Sequence, residues 1–168
     1  IYKNKSDMGL KIILVDDGSS DGTSEWVQTN YPEVTILQGT GSLFWGGAIH
    51  YGVEYILKIC NPNDYVLLVN NDVLLANNTI SELVNFCEQE NRKAVVGSIS
   101  MDSKNNGKVI KSGTKVKSWF LNRTSHIFLG QKIEEVLNQE SMEVDLLTGR
   151  CLLHPVEVFL KAENFEQF

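Results

Sequence analysis

Cysteine is scarce. There are three in 168 residues, Cys60, Cys87 and Cys151, at wide spacings and with no Cys-x-x-Cys pair. That excludes a zinc ribbon or a thioredoxin-like redox centre, and an odd, unpatterned set reads as reduced thiols in a reducing compartment. Long apolar runs are missing as well: the longest is Tyr65–Val69, far short of the roughly 20 residues that span a bilayer as a helix. Positive charge is in deficit, with 15 Lys and Arg against 21 Asp and Glu for a net charge of −6. A role coating nucleic acid needs clustered cations to displace counterions and is not expected. His50, His126 and His154 have no metal-ligand spacing and read as structural. The first residue is Ile1, and no charged-then-apolar leader follows it; we expect an excerpt from a longer polypeptide.

What is present is an ordinary globular composition, 42% hydrophobic and 21% charged. The length suits one domain, residues 1–168, with its own core. Residues 11–15 (Lys-Ile-Ile-Leu-Val) read as a strand buried on both faces, ending in the turn Asp16-Asp17-Gly18-Ser19-Ser20. Asp21 or Thr23 caps an expected helix over 24–30, stopped by Tyr31-Pro32. A strand over 34–38, closed by Gly39-Thr40-Gly41, precedes a helix over 46–60 with Ile49, Val53, Ile56 and Leu57 at helical spacing. A third strand covers 65–69 and ends in Asn70-Asn71-Asp72. A helix follows, capped by Asn78 or Thr79 and carrying Ile80, Leu83, Val84 and Cys87, and a fourth strand lies over 94–99. Strands alternating with helices of ten or more residues predict an α/β fold with a mainly parallel sheet. Beyond Ser100 the pattern weakens to a hairpin turn at 104–108, strand pieces at 143–147 and 151–153, and a short helix opened by Pro155.

In open parallel sheets ligands bind beyond the carboxyl ends of the strands. Two of the expected strands finish in carboxylate-bearing tips, at Asp16-Asp17 and at Asp72. A carboxylate there accepts hydrogen bonds from a ribose or base, or ligates a hard cation that fills its other positions with water and substrate phosphate. The plain alternative, a turn former or helix cap, covers Asp21 and extends to Asp16; it fits Asp17 and Asp72 less well, because both close strongly apolar strands.

The run 13–23 (Ile-Leu-Val-Asp-Asp-Gly-Ser-Ser-Asp-Gly-Thr) resembles the first nucleotide-binding motif of family 2 glycosyltransferases of the GT-A fold. Leu68-Val69-Asn70-Asn71-Asp72-Val73 is similar to their metal-site motif, in the variant common among rhamnosyltransferase-like members. Residues 41–52 resemble the glycine-containing helix start that lies against the nucleotide. Residues 149–153, followed by Val158-Phe159 and Asn164-Phe165-Glu166, resemble the acceptor-side segment. The resemblance implies a Rossmann-like three-layer sandwich around a mainly parallel central sheet. It implies a nucleoside-diphosphate sugar donor, bound by Asp16, Asp17, Gly18, Ser19, Gly46, Gly47 and Asn71. It further implies a divalent cation, Mg²⁺ or Mn²⁺, at Asp72, and a glycan or lipid-linked acceptor near Gly149 and Arg150. Transfer to an acceptor hydroxyl would invert the anomeric centre, in a cytoplasmic enzyme, peripheral at the inner face of the membrane or free of it, that builds a cell-surface glycan.

The resemblance also implies a preceding strand and helix and a following Glu-Asp pair that holds the catalytic base. No catalytic residue is therefore expected within this chain, and the segment alone is expected to lack turnover. The basic stretch 104–117 reads first as a solvated hairpin and second as a contact for anionic lipid. Two other function classes stay open on sequence: a receiver-like phosphoacceptor domain, and a nucleotide-sugar-binding module without catalysis.

Overall fold

The computed structural model describes residues 9–102, 104, 107–137, 139 and 141–161. The expected turn positions Asn105 and Asn106, and the acceptor-side positions Asn164, Phe165 and Glu166, lie outside the described residues. The chain divides into two compact units, one of Ile1–Val66 with Pro155–Phe168 and one of Leu67–His154.

In the first unit, β1 (Ile13–Asp16) and β2 (Thr35–Gln38) are joined by α1 (Thr23–Asn30). They pair in parallel, from Ile13 opposite Thr35 to Asp16 opposite Gln38. Gly22, at φ 82°, leads into α1, while the Asp21 carboxylate accepts from the Thr23 amide (3.1 Å) and hydroxyl (2.6 Å); the turn-former reading of Asp21 holds. α2 (Phe44–Ile59) buries Gly52 and Val53 and packs on β1. A Cβ on Gly52 would lie 3.0 Å from Val15 Cγ2, so glycine sets how closely helix and strand approach. α2 ends at Cys60, whose extended backbone leads into Asn61-Pro62. α5 (Val156–Lys161) adds Val156 and Phe159 to a core with Val53 and Val66. Pro155 closes the preceding strand rather than opening that helix.

In the second unit, β3 (Tyr65–Val69, entering from Leu67), β9 (Cys151–Pro155) and β4 (Val96–Gly97) form a three-stranded sheet in the order β3-β9-β4. β4 and β9 are antiparallel. α3 (Thr79–Gln89) turns Ile80, Leu83 and Cys87 inward and packs on β4, so the helical spacing read from sequence is the buried face. Two antiparallel pairs complete the unit: β5 (Ser100–Met101) with β6 (Val109–Lys111), and β7 (Thr114–Ser118) with β8 (Arg123–His126), accompanied by the short α4 (Ile133–Val136). Its core is Ile80, Leu83, Cys87, Val96, Val109, Val136, Cys151 and Leu153. Each such side chain contributes about 1.5–3 kcal/mol by leaving water.

The architecture is α/β. Parallel pairing is seen in β1–β2, whereas β4–β9, β5–β6 and β7–β8 are antiparallel. Two expectations are corrected. The 94–99 strand shrinks to Val96–Gly97, and 143–147 forms a single bridge between Leu146 and Thr114 instead of a strand. All three cysteines are free thiols, and burial pushes the Cys151 thiol up from its usual range. Among the described residues no helix is long and apolar enough to cross a membrane.

Candidate active site

β1 ends at Asp16 with Asp17 just beyond it, and the two adjacent carboxylates take different partners. Asp16 is buried, at 4% exposure. One of its oxygens accepts the Ser19 amide at 2.8 Å and the other accepts the Ser24 hydroxyl of α1. The Gln38 amide donates in turn to Ser24 Oγ at 2.8 Å, so one short network ties the ends of β1 and β2 to α1. Hydrogen bonds from the Ser19 side chain, then the Ser24 side chain and the Ser19 backbone, hold the Asp16 carboxyl below its ordinary 3.8 against the opposing effect of burial. Asp16 is therefore ionised at neutral pH.

Asp17 reaches the start of α2. Its Oδ1 accepts the Gly41 amide at 2.7 Å, and its Oδ2 accepts the amides of Leu43 (2.7 Å) and Phe44 (3.2 Å). α2 has no side-chain cap of its own, so a carboxylate 26 residues upstream of Leu43 satisfies amides that a helix start leaves without intrahelical partners. The loops interlock around it. Gly18 sits at φ 82°, and a Cβ there would lie 3.1 Å from Gly41 Cα. A Cβ on Gly39 would meet Asp17 Oδ1 at 2.5 Å, Leu43 Cδ1 at 2.8 Å and Asp17 Cα at 3.0 Å. Gly39→Ala is accordingly expected to dislodge the Asp17 carboxylate and to cost about 1–3 kcal/mol by overpacking, read as a lower midpoint in thermal unfolding. Unchanged stability would mean that the carboxylate can be reseated.

A carboxylate has about four acceptor positions, and three donors on Asp17 leave room for one more. The first turn of α2 presents an open face: nothing lies within 4 Å of a Cβ built on Gly46, and Phe44 and Trp45 are exposed. Phe44 takes φ 53°, a conformation costly for a bulky residue, and its amide is directed at Asp17.

In the second unit, Asn71 and Asp72 are exposed in the turn after β3. The Asn70 amide donates to the Arg150 carbonyl at 3.0 Å, which brings that turn beside Gly149 and Arg150 at the entry to β9. Among the described residues no group of three or more His, Cys, Asp or Glu side chains could hold a metal. Asp72 offers a single exposed carboxylate, a donor set that suits a hard cation sharing its coordination with water and a phosphate ligand, and does not suit a closed structural site.

The sequence model described as "Glycosyl transferase family 2" matches residues 3–143, running through both carboxylate-tipped strand ends. The chain belongs to glycosyltransferase family 2. It is similar to two curated proteins named N-acetylglucosaminyl-diphospho-decaprenol L-rhamnosyltransferase, from the CDC 1551 / Oshkosh and ATCC 25618 / H37Rv strains of Mycobacterium tuberculosis. Each is 24% identical over 174 residues, covering 94% of this chain and 56% of the relative. The chain thus spans about half the length of the curated relatives it matches. No solved structure matches it significantly.

Ser24 and Gln38 around Asp16 were not singled out from sequence, and although residues 41–52 were, the link from the amides of Gly41, Leu43 and Phe44 to Asp17 was not. The one available signal was Gly39-Thr40-Gly41, two glycines flanking a threonine at a strand end, the composition of a loop against which another backbone packs closely.

Proposed function

We propose that this family 2 glycosyltransferase chain binds a nucleoside-diphosphate sugar, whose sugar passes with inversion to the hydroxyl of a glycan or lipid-linked acceptor in the synthesis of a cell-surface polysaccharide or glycoconjugate. The observation that carries the reading is the family match over residues 3–143. The relatives' name, which denotes rhamnosyl transfer to a lipid-linked diphospho-sugar, supports a hexosyl or rhamnosyl transfer. Family membership displaces the receiver-domain alternative. The finer architecture belongs to the same proposal: one GT-A domain over 1–168 with a mainly parallel central sheet, supported by the parallel β1–α1–β2 unit.

In this reading Asp16, Asp17, Gly18, Ser19, Gly46, Gly47 and Asn71 receive the nucleotide. The ionised Asp16 network fixes the end of β1, and Asp17, anchored by three amides, offers its remaining acceptor position to a base or ribose donor. Gly46 leaves backbone open to close approach. Because the Asp17 carboxylate already occupies the α2 amides, that helix start does not attract a phosphate as an unoccupied N-terminus would. Neutralising the diphosphate then falls to groups elsewhere, Asp72 through a divalent cation (Mg²⁺ or Mn²⁺) and Arg150 near the acceptor. A bound cation stabilises negative charge on the departing diphosphate as a Lewis acid.

Calorimetry with uridine and thymidine diphosphates, with and without Mn²⁺, tests the reading. Binding is expected, strengthened by Mn²⁺, and Asp72→Ala is expected to abolish the Mn²⁺-dependent part alone. Retained Mn²⁺ dependence in that variant removes Asp72 from the site; failure of both nucleotides to bind removes the pocket.

A further inference from the structure

The β7–β8 hairpin carries a feature that sugar transfer does not use. Its tip is Trp119, Phe120 and Leu121, exposed at 74%, 96% and 58%. Turns are ordinarily built from small polar residues, and three consecutive large apolar side chains in water are unfavourable unless something covers them. The exposure comes from an ordered turn. The Asn122 amide donates to the Trp119 carbonyl at 3.3 Å, the Leu121 amide to Ser118 Oγ at 3.2 Å, and the register shifts between Val116 and Ser118. The foot is pinned too: the Asp145 carboxylate accepts the Val116 amide at 2.7 Å on the outer edge of β7.

Apart from the Asp145 carboxylate at its foot, the hairpin's charge is one-sided along the sequence. Between residues 103 and 133 there are seven Lys and Arg and no Asp or Glu, in a chain whose net charge is −6. Lys115, Lys117 and Arg123 stand on the hairpin itself, with Lys115 opposite Ser125 and Arg123 opposite Ser118. At about 3.3 Å per strand residue, Lys117 and Lys115 sit roughly 7–13 Å behind the tip. That is close to the ~5–10 Å depth to which apolar groups enter a lipid headgroup layer.

We propose that Trp119, Phe120 and Leu121 insert into the headgroup layer of an anionic bilayer while Lys115, Lys117 and Arg123 meet the lipid phosphates. An apolar anchor joined to a cationic patch is the two-signal combination that gives stable yet reversible attachment, and tryptophan favours the interface depth. The inference does not depend on the transfer reading.

Co-sedimentation of the whole chain with phosphatidylcholine vesicles, and with mixed phosphatidylcholine–phosphatidylglycerol vesicles, tests it. The chain is expected to pellet with the anionic vesicles only, and less as salt screens the charges. Changing Trp119, Phe120 and Leu121 together to serine is expected to lower the partition at least ~10-fold. Lys115→Gln with Lys117→Gln is expected to lower it about five-fold per charge. The altered side chains are exposed except Lys115, which is half-buried, and an unchanged circular-dichroism spectrum and unchanged thermal midpoint would show that each variant folds. Wild-type chain that ignores both vesicles, a serine variant that sediments as well as wild type, or a tip-dependent dimer without lipid binding would each overturn the proposal.

Discussion

Asp17→Ala is expected to destabilise the chain by about 3 kcal/mol, lowering its thermal midpoint by roughly 10 °C at this chain length, and to weaken nucleoside-diphosphate binding in calorimetry. The reason lies in what the carboxylate holds. It accepts the amides of Gly41, Leu43 and Phe44 on its two oxygens, so its loss strips the start of α2 of its cap and frees the 39–44 loop at once. Charge-assisted hydrogen bonds contribute about 1.5–3 kcal/mol each, and partial exposure, with water replacing the lost acceptor, keeps the total below the roughly 4.5 kcal/mol that three at the low end would give. Asp17→Asn is the sharper variant. An amide has only one acceptor oxygen, so whichever way it turns, its NH₂ faces a backbone N–H, and the isosteric change is expected to cost nearly as much as alanine. Asp21→Ala is the matched control, because Asp21 hydrogen-bonds its near neighbour Thr23 at the surface and its loss is expected to be small. If Asp17→Asn retained wild-type stability, the capping role would be refuted and a ligand-only role would remain.

The capping duty of Asp17 was not legible in the sequence. An aspartate closing an apolar strand reads as a ligand group or a turn former, and its partners lie 24–27 residues on, beyond any local pattern. The same long-range contact explains why α2 begins at Phe44 and not at the expected Gly46: the cap that extends the helix comes from another strand. What rests on local periodicity was legible. β3 occupies Tyr65–Val69 as expected, and α3 buries Ile80, Leu83 and Cys87, because burial of one face is written directly into residue spacing.

Elements decided by a distant partner were lost. β8 is Arg-Thr-Ser-His, with no apolar alternation, and exists because β7 offers it a backbone ladder. α4 is four residues long, too short to show a helical period. The strand expected over 94–99 keeps only Val96 and Gly97, opposite Leu153 and Leu152 of β9. Val144 closes against Gly113, 2.4 Å from its would-be Cβ, and the backbone bonds of 143–147 to β7 converge on Thr114 alone, so the segment forms a single bridge and no longer ladder. Within the site, the residue types at the strand tips were legible, while the network that orients them passes through Ser24, Gln38 and backbone amides.

His154 carries the second large expected effect. It lies in β9 at 7% exposure, and burial drives its pKa from 6.5 to about 4. Above pH 6.5 the imidazole is neutral in both folded and unfolded chains and contributes nothing to pH dependence. Between pH 6.5 and about 4 the unfolded chain binds a proton that the folded chain refuses, so stability falls as pH falls. Integrated over that window the loss is about 3 kcal/mol, and below it the curve flattens with respect to this group. Asp16 acts in a separate window. Its folded pKa lies below 3.8, so its contribution is full above that value and is lost only as pH falls through its lowered folded pKa. Denaturant midpoints measured from pH 7 to pH 4 should therefore drop steadily in the wild-type chain, and His154→Gln should remove most of that slope. A slope left intact by His154→Gln would mean that His154 is protonated within the fold and that other groups set the acid sensitivity.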